Sequence, residues 1–180
     1  MPALDKPESA LARLQSLEVA LCQRATRAQE RGFWRGLFRA VSRAGDGLAW
    51  YALAALLPLV DGPAALPTVA RMTLVGIAAT LVSAGLKRAT ARTRPCLAHA
   101  GILAGARALD RYSFPSGHTL HAVAFTAVVA SAYPALAWAL VPFTLLVAAS
   151  RVVLGLHYPT DVAAGALVGA VVAATIPGPF

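Results

Sequence analysis

Acidic residues are the scarcest chemical resource in this chain: eight Asp and Glu stand among 180 residues, against sixteen Lys and Arg. A carboxylate-rich two-metal centre is therefore not expected, because only Asp161 and Asp110 fall near the polar clusters described below. Cysteine is as rare. Cys22 and Cys96 are far apart and follow no metal-ligand spacing, so neither a disulfide framework nor a zinc site is expected and both read as free thiols. No repeat or low-complexity tract is visible. The stretch before the first apolar run is too long and too charged to read as a cleaved leader. Charged residues make up only 13% of the chain while hydrophobic ones reach 58%, outside the range of ordinary soluble domains.

What replaces charge is a series of apolar runs, over 47–60, 68–86, 119–149 and 162–176, in a chain of mean hydropathy +0.63. A membrane span needs roughly 17–25 residues, so 68–86 qualifies directly and 119–149 divides into two short spans at Tyr133-Pro134. The runs at 47–60 and 162–176 qualify only with flanking residues. The expectation is an all-α integral membrane bundle of about five transmembrane helices, possibly six. A large water-soluble bundle is the alternative, and it would need more polar outward faces than these runs supply.

The positive charge is unevenly placed. Eight of the sixteen cations lie in the first 46 residues and six between Lys87 and Arg111. This distribution fits a membrane protein with a basic face and excludes nucleic acid as the expected partner. Residues 9–44 contain no proline, and Arg24, Arg27, Arg31, Arg35, Arg39 and Arg43 recur at helical spacing. Phe33, Trp34, Leu37, Phe38 and Val41 fall mainly on other faces. An N-terminal amphipathic helix in the plane of the interface is expected, with packing on the bundle as the alternative. The expected organisation is a basic N-terminal segment at 1–46 and a transmembrane core at 47–176. Gly45-Asp46-Gly47 breaks the first helical pattern.

Polar clusters mark the ends of the apolar runs. Lys87 and Arg94-Pro95 follow the second, Pro115-Ser116-Gly117-His118 opens the third, and Ser150-Arg151, His157 and Asp161 separate the last two. With five helices all three clusters reach one membrane face. Lys87, Arg94 and Arg151 suit a clamp on phosphoryl oxygens, and two of them can grip in bidentate fashion. Ser116 offers a hydroxyl, and Gly117 lets the backbone of a helix start approach an anion. A carboxylate at Asp161 can hold one nitrogen of His157 and leave the other free to attack phosphorus, while His118 protonates the leaving oxygen. Arg111, near the Ser-Gly-His turn, is a possible headgroup contact. His121 reads as packing or outer support, and no metal or other cofactor is expected.

These clusters resemble the tripartite signature of the type 2 phosphatidic acid phosphatase superfamily. Lys87 and Arg94-Pro95 enclose six residues, Pro115–His118 match in full, and Ser150-Arg151, His157 and Asp161 complete the third part. The resemblance covers about 68–176. It implies metal-independent hydrolysis of a phosphomonoester or diphosphate on a membrane lipid through a phospho-histidine, with His157 as nucleophile, Asp161 its partner and His118 the acid. It places Lys87, Arg94, Ser116, Gly117, His118 and Arg151 around the phosphate. Undecaprenyl diphosphate or a glycerophospholipid phosphate is the expected substrate, and a lipid-to-lipid phosphotransferase or a lipid A phosphatase is the alternative. A non-enzymatic lipid-phosphate binding or transport protein is the remote one. The expected location is a bacterial inner membrane. One helix of the usual six-helix plan is missing or replaced by 9–44, and the side of the membrane and the oligomeric state stay open.

Overall fold

The computed structural model describes residues 10–108 and 110–178, and the first nine residues of the basic N-terminal segment lie outside it. Two helices open the chain, α1 (Ala10–Thr26) and α2 (Gly32–Arg43), so the single N-terminal helix expected from the arginine spacing is divided. A 3₁₀ turn over Arg27–Glu30 and an extended Arg31 make the division. Its anchor is Gln29, whose buried amide donates to the carbonyls of Leu103 and Val153. Two bonds to another part of the chain outweigh the local helical preference.

From Gly32 the chain stays helical to Thr90 through two interruptions. A π-turn at Ala44–Leu48 joins α2 to α3 (Ala49–Asp61), and a 3₁₀ turn at Gly62–Ala65 leads into α4 (Leu66–Thr90). Residue Ala91 caps α4 in the left-handed conformation. An irregular stretch follows, with a one-turn α5 (Pro95–Ala98) and an isolated bridge between Thr93 and Tyr112. The chain closes with α6 (Gly117–Ala132), α7 (Ala137–Val153) and α8 (Pro159–Thr175).

The expected count of about five transmembrane helices, possibly six, with an interfacial N-terminal helix, is corrected here. Among the described residues two helical segments are long and apolar enough to cross a membrane, Gly32–Thr90 and Pro134–Val153. The apolar runs were long in hydropathy, but helix ends are set by backbone chemistry. Tyr133-Pro134 stops α6 at 16 residues, and Pro159 starts α8, which runs for 17. At 1.5 Å per residue these reach about 24–26 Å, short of a hydrocarbon core of about 30 Å. The outward faces are nonetheless apolar: Leu59, Leu81, Trp138, Leu145 and Leu167 are all exposed, as an apolar solvent permits.

Helix α6 is central, packing on α8, α4 and α7, while α2 lies on α7 and α1 touches α7 and α8. Val75, Ala79, Leu120, Ala124 and Val128 form the core of that contact. The α6–α8 crossing is unusually close because α8 presents Gly165 and Gly169, one turn apart. A Cβ at Gly165 would stand 2.6 Å from the Ser116 carbonyl oxygen, and one at Gly169 would stand 2.4 Å from that of Leu120. Small residues at this spacing let two helix backbones meet. The crossing holds the starts of α6 and α8 together, where the Ser116 amide donates to the Asp161 carbonyl at 2.9 Å.

Candidate active site

Four helix ends converge. Lys87 lies in the last turn of α4, Ser116 caps α6, Arg151 lies in the last turn of α7, and Asp161 is the third residue of α8. Arg94 caps the short α5, and His157 sits in the turn between α7 and α8. The Lys87 ammonium stands over the start of α6, since a Cβ at Gly117 would be 3.7 Å from its Nζ. The first amides of α6, which lack partners within their own helix, therefore face a cation and together favour an anion.

Arg94 and Arg151 are both only 2% exposed. Arg94 donates through Nη1 to the Leu156 carbonyl at 2.9 Å and to His157 Nε2 at 3.0 Å. Through Nε and Nη2 it holds the carbonyl and carboxylate of Asp110. Asp110 also pairs with Lys87, so a carboxylate lies on two of the three cations. Burial works against its charge, but Lys87 and Arg94 hold its carboxyl below the usual range. Arg151 donates through Nη1 to Ser42 Oγ of α2, yet its buried Nε has no hydrogen-bond partner. A buried guanidinium N–H is costly to leave unpaired, and an anion within its reach would satisfy it.

The tautomer of His157 follows from its neighbours. Nδ1 lies 2.6 Å from the Ser113 carbonyl oxygen, which can only accept, so Nδ1 carries the hydrogen. Nε2 faces an arginine, which can only donate, so it presents a lone pair. Asp161 lies farther off than expected: its Oδ2 is 3.7 Å from Nδ1, an ion-pair distance, and the Ser113 carbonyl makes the short bond. Asp161 is fully buried. It accepts from the Tyr158 amide at 2.8 Å and from Arg92 Nη1 at 2.7 Å. Burial above all, with Arg151 and Arg94 adding to it, pushes the His157 imidazole down to about 4 despite Asp161. The ring is neutral at physiological pH.

His118, in the first turn of α6, faces Asp46 of the π-turn, with Nε2 3.4 Å from Oδ1. It opens onto a cleft of about 710 Å³ that also takes in Lys87 and Asp110 and continues between α3, α4 and α6 along Trp50, Ile77, Leu81 and Phe125. His121 lies in the cleft wall, bonded to the Gly117 carbonyl through Nδ1 and to Thr80 through Nε2.

The fold thus gathers Lys87, Arg94, Gly117, His118, Arg151, His157 and Asp161 at one end of the bundle. Ser116 is at the same place but fully buried, with its hydroxyl bonded to Thr119 Oγ1 at 2.9 Å. Arg111 is exposed and does not line the cleft; nor do Arg94, Arg151, His157 and Asp161, which are buried. Several contributors escaped sequence reasoning. Ser113 orients His157. Arg92 links Asp161 to Glu18 of α1, and Glu18 in turn accepts from Thr160. Ser42 and Asp46 come from the N-terminal part of the chain. The scarcity of acids was the available signal, since Glu18 and Asp46 are two of only eight. Among the described residues no three His, Cys, Asp or Glu side chains cluster closely enough to hold a metal ion.

A cationic pocket with two imidazoles, opening on an apolar cleft in an integral membrane protein, defines the class as a lipid phosphate enzyme. The family is equally plain: the PAP2 superfamily model matches residues 68–177, and the chain belongs to that superfamily of lipid phosphatases. Among its relatives is the decaprenylphosphoryl-5-phosphoribose phosphatase of Mycolicibacterium smegmatis, 39% identical over 134 residues, covering 71% of this chain and 68% of the relative. The fold is similar to that of the crystal structure of LpxE from Aquifex aeolicus, with a TM-score of 0.76 at 22% identity, covering 88% of this chain and 93% of that one. It is also similar to the first transmembrane PAP2-type phosphatidylglycerolphosphate phosphatase from Bacillus subtilis, with a TM-score of 0.72 at 21% identity over 91% and 84% of the two chains.

Proposed function

We propose that this phosphatase hydrolyses a phosphate monoester or diphosphate carried by a membrane lipid, without a metal, through a phospho-histidine at His157. The observation that carries the reading is the buried Arg151 with its unpartnered Nε, close to Arg94 and to His118, with Lys87 on the other approach to His118. Those groups offer an anion fixed donors in a site shielded from water, where such donors stabilise developing charge most strongly. Arg94 Nη1 turns from His157 Nε2 to a phosphate oxygen, the freed Nε2 lone pair attacks phosphorus, and the bond to the leaving oxygen breaks. His118 gives its proton to that oxygen. Water then gives a proton back to His118, attacks the phospho-histidine and releases inorganic phosphate, restoring both rings.

Asp161 and the Ser113 carbonyl keep the attacking ring oriented, and Ser116 acts by tying α6 to α8 at the phosphate. The lipid chain occupies the cleft between α3, α4 and α6. The decaprenylphosphoryl-5-phosphoribose named for the Mycolicibacterium smegmatis relative joins undecaprenyl diphosphate and phosphatidylglycerophosphate as substrates to compare. The test is phosphate release from these three lipids by detergent-solubilised protein in EDTA. Release is expected on at least one of them and is lost in His157→Ala. Full activity in that variant rejects the mechanism.

A further inference from the structure

Asp46 stands outside the stretch matched by the family model, at a break in the helix that is held by two contacts. Asp46 itself leaves helical geometry (φ −82°, ψ 28°), and Gly47 takes φ 117°, a conformation open to glycine but strained for other residues. The Trp50 indole donates to the Gly45 carbonyl within the break, at 3.2 Å. Gly45 also packs so closely on α7 that a Cβ there would meet Val147 at 2.8 Å. The turn is therefore built into the fold, and its consequence is that Asp46 joins the cleft lining opposite His118.

The surroundings of His118 make that carboxylate consequential. Burial does most to oppose a positive charge on the His118 ring, and the cations Arg151 from α7 and Lys87 from α4 add to it. Among the described residues Asp46 is the one carboxylate within ion-pair distance of it. A general acid must hold a proton before it can give one up, and a carboxylate on one ring nitrogen leaves the other for the leaving oxygen.

We propose that Asp46 is a positioning residue for His118, orienting its ring and stabilising the imidazolium that protonates the leaving oxygen. The turn before α3 thereby contributes to the site through Asp46. This inference rests on the reading of His118 as the general acid, and the experiment separates the two.

The test compares kcat/KM for p-nitrophenyl phosphate, whose leaving group departs without protonation, with that for dodecyl phosphate, whose alkoxide requires it. In Asp46→Asn the alkyl ester is expected to slow by about 10–100-fold, part of the usual general-acid contribution, and the aryl ester by less than about threefold. Asp46→Glu is expected to recover part of the loss. The ratio of the two substrates is taken on the same preparation, so incomplete folding of a variant cancels. An unchanged ratio in Asp46→Asn, with a shifted ratio in His118→Ala, overturns the role of Asp46 alone. An unchanged ratio in His118→Ala overturns the reading of His118 and this inference with it.

Discussion

Gly165→Ala offers a sharp test of how the fold makes the site. The added methyl would lie 2.6 Å from the Ser116 carbonyl oxygen, whereas ordinary contact begins at 3.4 Å, so α8 must retreat from α6 by about 0.8 Å. The obstacle is backbone, which has no rotamer with which to yield. Overpacking of this kind costs about 1–3 kcal/mol. An apparent Tm lower by roughly 2–4 °C for each kcal/mol is expected in a thermal melt of detergent-solubilised protein. The same retreat pulls the Asp161 carbonyl from the Ser116 amide and shifts the start of α6 against His157. A displacement approaching 1 Å in a preorganised site can lower turnover by about 100-fold. Gly169→Ala is the comparison: its methyl meets the Leu120 carbonyl oxygen at 2.4 Å, one turn farther from the site. It should lose at least as much stability and less kcat. Wild-type Tm and kcat in Gly165→Ala would refute the close crossing as the determinant of site geometry.

Three other perturbations probe the electrostatics. Because His157 is pushed from an ordinary 6.5 to about 4, the unfolded chain binds the extra proton first as pH falls; stability is full above 6.5 and declines toward 4, by on the order of 3 kcal/mol. Melts across that window should show a steeper fall for wild type than for His157→Gln, and parallel curves would contradict it. Arg92→Ala leaves the buried Asp161 and Glu18 without their shared cation, a loss expected to cost about 3–5 kcal/mol; an unchanged Tm would show that the pairing carries no weight. Asp110→Ala uncovers Lys87 and Arg94, so inhibition by inorganic phosphate should strengthen by about fivefold, the effect of ~1 kcal/mol for a partly exposed ion pair. Weaker inhibition would mean that Asp110 assists phosphate binding instead of competing with it.

The family was more legible than the architecture. Lys87, Arg94, His118, Arg151, His157 and Asp161 drew notice because ionisable residues are costly beside apolar runs, and their spacing carried the family. The helix count could not be read as well. Hydropathy measures where a chain can be buried, but the lengths of α6 and α8 were decided by Pro134 and Pro159, and the split of the N-terminal helix by the long-range bonds of Gln29. The contacts of Ser113, Glu18 and Asp46 were out of reach for a related reason. Each meets a residue far away in sequence, and a backbone carbonyl such as that of Ser113 leaves no compositional trace at all.

The central claim is that His157 attacks phosphorus from a neutral ring held by Ser113 and Asp161. Acid-sensitive trapping tests it most directly: solubilised protein is mixed with ³²P-labelled lipid phosphate in EDTA, quenched rapidly in alkali, and examined for label retained on the chain. The account predicts an alkali-stable, acid-labile phosphoryl group on His157 that forms before free phosphate and is absent from His157→Gln. Steady release of labelled phosphate with no label on the protein, at any quench time, would contradict it.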